Sequence, residues 1–171
     1  MCCGVGDCVV RCPVLRETEC VIFTGHYEHA IDEKGRLAIP AEFRSRWDTA
    51  RDGAAWQAIP WVGGIIRLYT ERGFLERANL GELTLMPDED EAEIQATLFG
   101  LSKRIEPDSA GRIRVPDDML AMVGLGRNVV LVGLGDRLEI RDRDAWLESK
   151  GERLAKLPEL MRRMQAKKKG V

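Results

Sequence analysis

Apolar and polar residues alternate with the two-residue period of half-buried strands in several short stretches, each bounded by Gly, Pro or Asp. Phe23, Gly25, Tyr27 and Ile31 frame the first, and Leu37 and Ile39 alternate with Arg36 and Ala38 in the next. Between them, Asp32 and Gly35 stand at the first and fourth positions of a type I turn, where the carboxylate accepts from backbone N–H groups ahead of it. This predicts a hairpin, with Pro40 ending the return strand and opening a short helix over 41–47. Residues 51–64 are irregular, with a short strand at 55–59, and 65–69 read as another strand. Thr70 is placed to cap a helix through Phe74, Leu75 and Ala78. The period then lengthens: Pro87 and an acid run open a helix whose stripe is Ile94, Leu98 and Leu101, stopping near Gly100.

The second half repeats this order. Asp108-Ser109-Ala110-Gly111-Arg112-Ile113-Arg114-Val115-Pro116 matches Asp32-Glu33-Lys34-Gly35-Arg36-Leu37-Ala38-Ile39-Pro40 at Asp, Gly, Arg and Pro, and in apolar character at two further positions. The chain thus reads as an internal duplication. A strand at 102–105 leads into the second turn and a return strand follows at 113–115. Pro116 opens a helix through Met119 to Val123, which Gly124 closes, and strands at 128–132 and 137–140 follow. Phe74-Leu75-Glu76 and Trp146-Leu147-Glu148 mark matched exits 72 residues apart, so the first half carries four extra residues. From Asp144 the chain reads as helical, breaks at Pro158 and resumes through Leu160, Met161 and Met164.

Composition changes this picture little, but charge placement does. The formal net charge of −2 averages five acids in 88–93 against a C-terminal stretch rich in Lys and Arg, so it does not argue against a polyanionic partner. No run of 18 apolar residues is present, which predicts no membrane partner. Cys2, Cys3, Cys8, Cys12 and Cys20 all precede the first recognisable element, a placement that fits a reducing, cytoplasmic setting and a fold independent of disulfides. They form no Cys-x-x-Cys pair, and the segment is expected to be a disordered extension without metal. Four units follow: 1–20, the extension; 21–82 and 83–148, two similar halves sharing one core; and 149–171, a basic helical tail.

Little in the sequence carries catalysis. His26 and His29 are the only histidines, and three apart on a strand they face opposite sides. Nucleophile elbows and phosphate loops are absent, and the turn already accounts for Asp32 and Asp108, so neither enzyme nor cofactor is expected. The arginines are left over. Lys34, Arg36, Arg112 and Arg114 lie at or just after the turns, and Arg44 and Arg46 on the helix beside the first. Two readings stay open: ion pairs Asp32/Arg36 and Asp108/Arg112 that pin each turn, or guanidinium groups that read guanine in the major groove from a narrow β-ribbon.

With Phe23-x-Gly25, Asp32-x-Lys34-Gly35-Arg36, Pro40-x-x-Phe43-Arg44, Leu98-Phe99-Gly100, Asp108-x-x-Gly111-Arg112 and Val130-Leu131-Val132-Gly133, the chain resembles the MraZ family of bacterial regulators over about 22–148. The resemblance implies an α+β fold of two tandem AbrB-like swapped-hairpin β half-units sharing one core, with short flanking helices and the C-terminal helical tail. It further implies a nucleoid-associated, ring-shaped homo-oligomer that binds promoter direct repeats of double-stranded DNA in the division and cell-wall gene cluster. Lys34, Arg36, Arg44, Arg112 and Arg114 are then the DNA-binding residues, and Asp32, Gly35, Asp108 and Gly111 the turn-forming ones. The second half lacks a counterpart of Arg44, so the first turn is expected to be the stronger reader. A structural or protein-interaction ring, like antitoxin-type hairpin proteins, is the alternative.

Overall fold

The computed structural model describes residues 21–78 and 88–169. The cysteine-containing extension, Pro87 as a helix opener and the boundary at 82/83 lie outside the described residues. In the first half, strand β1 (Phe23–Ala30) leads through the Asp32 turn to β2 (Arg36–Ala38) and helix α1 (Ala41–Arg44). Then come α2 (Thr49–Asp52), β3 (Trp56–Trp61), β4 (Ile65–Thr70) and α3 (Glu71–Ala78). After α4 (Glu89–Gly100), the second half runs β5 (Lys103–Ile105), β6 (Arg112–Arg114), α5 (Asp117–Val123), β7 (Asn128–Gly135), β8 (Leu138–Asp142) and α6 (Arg143–Lys169). The helix α2, which has no counterpart in the second half, reaches into the start of the stretch expected to be irregular, and β3 occupies Trp56–Trp61 of it. Thr70 caps α3 as expected, its Oγ1 accepting from the Gly73 N–H at 3.0 Å.

Two sheets form, one with strand order β1-β7-β8-β4-β3-β5 and one of β2 with β6 alone. Exchanging each strand for its counterpart in the other half, β1 for β5, β3 for β7 and β4 for β8, reads the six-stranded order backwards. The molecule therefore has a pseudo-twofold axis, and each half completes the other. The axis passes between Leu37 and Ile113, which face each other in the small ladder, and between Arg67 and Glu139, which face each other in the large sheet.

This pairing corrects the simple hairpin. Two backbone bonds, Asp32 N–H to Arg36 C=O and Gly35 N–H to Asp32 C=O, each at 3.0 Å, close the turn, after which β2 leaves β1 and pairs with β6. The edge of β1 is occupied by β7 over the whole of Phe23–Ala30. Leu37 and Ile113 each have 0 % exposure, so the exchange buries both against one shared core and satisfies both short strands at once. That core joins Phe23, Phe43, Trp56, Leu68, Met119 and Leu131 from both halves.

Two further boundaries differ. The helix after Pro40 stops at Arg44 instead of 47. Pro158 does not break the C-terminal helix, which runs unbroken from Arg143 to Lys169. A proline costs a helix one N–H and crowds the preceding turn, but residues around Pro158 are exposed, so the carbonyl left without its donor faces solvent.

Candidate nucleic-acid interface

Each turn is built as its residues dictate. The Gly35 N–H donates to the Asp32 carbonyl at 3.0 Å and the Gly111 N–H to the Asp108 carbonyl at 2.8 Å. Both glycines have φ of +73°, in the left-handed region where a side chain is strained. Asp32 Oδ1 accepts from the N–H groups of Lys34 and Arg36, both at 2.9 Å, and Asp108 Oδ1 accepts from Ala110 and Arg112 at 2.9 and 3.0 Å. The remaining carboxylate oxygens take the arginine side chains: Arg36 Nε to Asp32 Oδ2 at 2.7 Å, and Arg112 Nε and Nη2 to Asp108 Oδ2, each at 2.8 Å. The backbone N–H of Arg36, then its guanidinium, hold the Asp32 carboxyl below the usual carboxylate range, and Arg112 does the same for Asp108.

The ladder then aims these groups. With two-residue alternation, Leu37 and Ile113 point into the core, and Arg36, Ala38, Arg112 and Arg114 share the outer face, Arg36 opposite Arg114 and Ala38 opposite Arg112. The turns lock onto the opposite halves: Ile39 N–H donates to Gly111 C=O at 3.1 Å and Val115 N–H to Gly35 C=O at 2.9 Å. Lys34, Arg36, Arg112 and Arg114, with Glu106 and Asp108, line one open cleft of ≈ 380 Å³. Four of the five candidate cations thus come together on a two-stranded ribbon. Among the described residues, Lys34 and Arg114 have no ion-pair partner.

Arg44 lies elsewhere than beside the first turn. Phe43 packs edge-on against Tyr27 and Phe23, with ring centroids 5.0 and 5.8 Å away, and fixes α1. The Arg44 side chain then covers the second turn, so closely that a Cβ on Gly111 would meet its Cδ at 2.6 Å. The corresponding neighbour of the first turn is Asp117, whose Oδ1 would lie 3.8 Å from a Cβ on Gly35. The exchange of halves thus gives the extra cation to the turn that lacked one in sequence. Arg46 is structural, donating to the Ile22 carbonyl at 2.6 Å.

Sequence reasoning missed Glu106 and Asp117 at this surface, and missed a buried ion cluster on the opposite side of the large sheet. Glu139, 1 % exposed, accepts from Arg67 and Arg137 at 3.1 and 3.2 Å and from Arg141 at 2.8 Å. The same offset of 72 that aligns the two exits sets Arg67 against Glu139, and equivalent residues of the two central strands meet at the axis. That was the available signal. His26 Nε2 lies 2.8 Å from Lys150 Nζ, and burial lowers the pKa of His29; no group of potential metal ligands occurs among the described residues.

The profile of the family described as MraZ protein matches residues 22–51 and 98–160. These spans hold both turns and both ladder strands. The chain belongs to the MraZ family. It is 32 % identical over 143 residues to a protein of Mycoplasmoides gallisepticum, covering 84 % of this chain and 97 % of the relative. A Paenarthrobacter aurescens protein is 33 % identical over 140 residues, covering 81 % and 93 %, and a Rhodospirillum rubrum protein 31 % over 142, covering 77 % and 86 %. All three relatives carry the name transcriptional regulator MraZ. In this MraZ chain, then, the family's fold is realised by strand exchange between two halves of one polypeptide. Among the described residues no helix is long and apolar enough to cross a membrane.

Proposed function

We propose that the protein is a transcriptional regulator that binds double-stranded DNA sequence-specifically through the arginine face of the β2–β6 ladder. On this reading it acts on promoter direct repeats of the division and cell-wall gene cluster, as a ring of identical subunits, at the nucleoid. The role is regulatory, not catalytic. The observation that carries it is the sharing of one exposed face by Arg36, Arg112 and Arg114 on a two-stranded ribbon, an element that fits the major groove. Arg36 and Arg112 each donate Nε to their own aspartate, at 2.7 and 2.8 Å, which fixes the guanidinium plane beside the turn. Arg36 and Arg112, held in this way, are the better placed base readers. Lys34, Arg44 and Arg114 suit phosphate, where position matters less. A single three-residue ladder offers few base contacts, and a ring presenting several to tandem repeats gains affinity through effective concentration.

The test is binding to the chain's own upstream DNA against a scrambled duplex of equal length at physiological salt. A large preference for the upstream duplex is expected, and equal affinities would sink the proposal. A protein-interaction ring without specific DNA binding is the second reading, favoured by the exposed apolar surface of α4 and α6. A pull-down whose dominant partner is a protein and survives nuclease would support it.

A further inference from the structure

Helix α4 and the part of α6 beyond Lys150 bury almost nothing within this chain. None of the residues of α4 is buried, and 151–167 of α6 are exposed throughout. Helix α4, of 12 residues, has Phe99 edge-on against Phe74 with ring centroids 5.9 Å apart, and a helix that short is marginal in water without further packing; the exposed stretch of α6 leaves its apolar side chains without cover inside the chain.

The two are chemically matched. Leu98 of α4 helps to line two adjoining apolar hollows of ≈ 110 and ≈ 370 Å³, which share Leu98 and Trp61. Ile94 and Val62 border the larger one at 53 % and 80 % exposure. Glu93 lines the larger hollow, Glu89, Asp90 and Glu91 fill the first turn of the same helix, and α4 carries no Lys or Arg. On α6, Leu154, Leu157, Met161 and Met164 recur at spacings of three and four, forming one apolar stripe at 48–71 % exposure. Beside it stand Arg153, Lys156, Arg162 and Lys167, with Arg163, Glu152 and Glu159 on the far side of the helix.

The geometry points to α6 of one copy docking its Leu154–Met164 stripe into the α4 trench of a second copy, acidic rim against basic flanks. The α6 stripe has a companion in the trench, and the trench in the stripe, on different surfaces of one chain. Such a head-to-tail contact passes from subunit to subunit and closes into a ring when the rotation allows. The inference rests on the ring reading and assigns the surfaces that build it; the arginine ladder takes no part.

The test uses two variants of the full chain at exposed positions. One, L157D/M161D, spoils the stripe and keeps the trench; the other, I94D/V62D, spoils the trench and keeps the stripe. Each variant is expected to keep the parent's sheet signal in circular dichroism and a cooperative melt, at a lower midpoint because the contact between copies is lost. In sedimentation, each variant alone is expected to be a monomer and the equimolar mixture a heterodimer and nothing larger, because one good stripe meets one good trench. A contact between two α6 helices would instead leave I94D/V62D assembled, which overturns the assignment. So would a photo-crosslinker at Leu157 that labels no part of 60–62 or 93–98 in another copy. If the parent itself sediments as a monomer, the ring reading falls too. A parent larger than a monomer with both variants unchanged overturns only the docking surfaces.

Discussion

Asp32 and Asp108 each do two jobs, closing a turn through backbone N–H groups and orienting a guanidinium through the remaining oxygen. Both favour the ionised carboxylate, so both pKa values are lowered on folding. The stabilisation is fully present above the unfolded value of about 3.9 and is lost as pH falls through the lower folded values. Urea midpoints measured from pH 7 down to pH 2 are therefore expected to fall less steeply at the acid end for D32N/D108N than for the parent. Parallel curves would show that the carboxylates contribute nothing through ionisation. The two turn glycines separate strain from space. Alanine at either is strained by about 1–2 kcal/mol because φ is +73°. At Gly35 the new methyl also meets the Val115 carbonyl at 3.0 Å, part of the fixed backbone, whereas at Gly111 it meets the flexible Arg44 side chain. Thermal denaturation should show G35A losing the more stability, with G111A chiefly displacing Arg44.

At the scale of elements, the duplication made much of the fold legible, because turn chemistry, helix caps and two-residue alternation are local. Gly124 ends α5 at φ +67°, as its residue type leads one to expect, and within the acid run Asp88 caps α4 by accepting from Glu91 N–H. Partner choice was not local. The alternation of Leu37 and Ile39 says that β2 has a buried face but not which strand lies beside it, and the shared burial of Leu37 with Ile113 decides that. The surface position of Arg44 was obscured for the same reason. Gly133 marks where the exchanged strands meet most closely: a Cβ there would meet Phe23 C at 2.6 Å and Thr24 N at 2.7 Å, both backbone atoms of β1. G133A is expected to cost about 1–3 kcal/mol or more by overpacking, read as a shift in denaturant midpoint; a neutral effect would mean that β1 is free to move away from β7. Glu139 is the other keystone, since its removal leaves Arg67, Arg137 and Arg141 half-buried around a missing anion. E139A should lose about 3–5 kcal/mol in the same measurement.

For the whole molecule, the proposed DNA binding raises the question whether the ladder would act by charge alone or by a held geometry. Charge alone treats Asp32 as a liability, since it cancels a cation at the surface proposed to meet phosphate. Held geometry treats it as the clamp that points Arg36. The substitution D32N keeps an acceptor for the turn, removes one negative charge and loosens Arg36, so the two accounts give opposite signs. If charge governs, D32N tightens binding to upstream and scrambled duplexes alike. If geometry governs, scrambled binding tightens slightly while upstream binding weakens, and the ratio of the two falls about tenfold, equivalent to about 1.4 kcal/mol. Arg114, without a partner among the described residues, supplies the control: R114A is expected to weaken both duplexes together and to reduce the slope of log affinity against log salt by about one per protomer in contact. Titrations at three salt concentrations on both duplexes read all of these quantities. A D32N ratio equal to that of the parent would remove Arg36 from base readout and leave the ladder as a phosphate-binding edge.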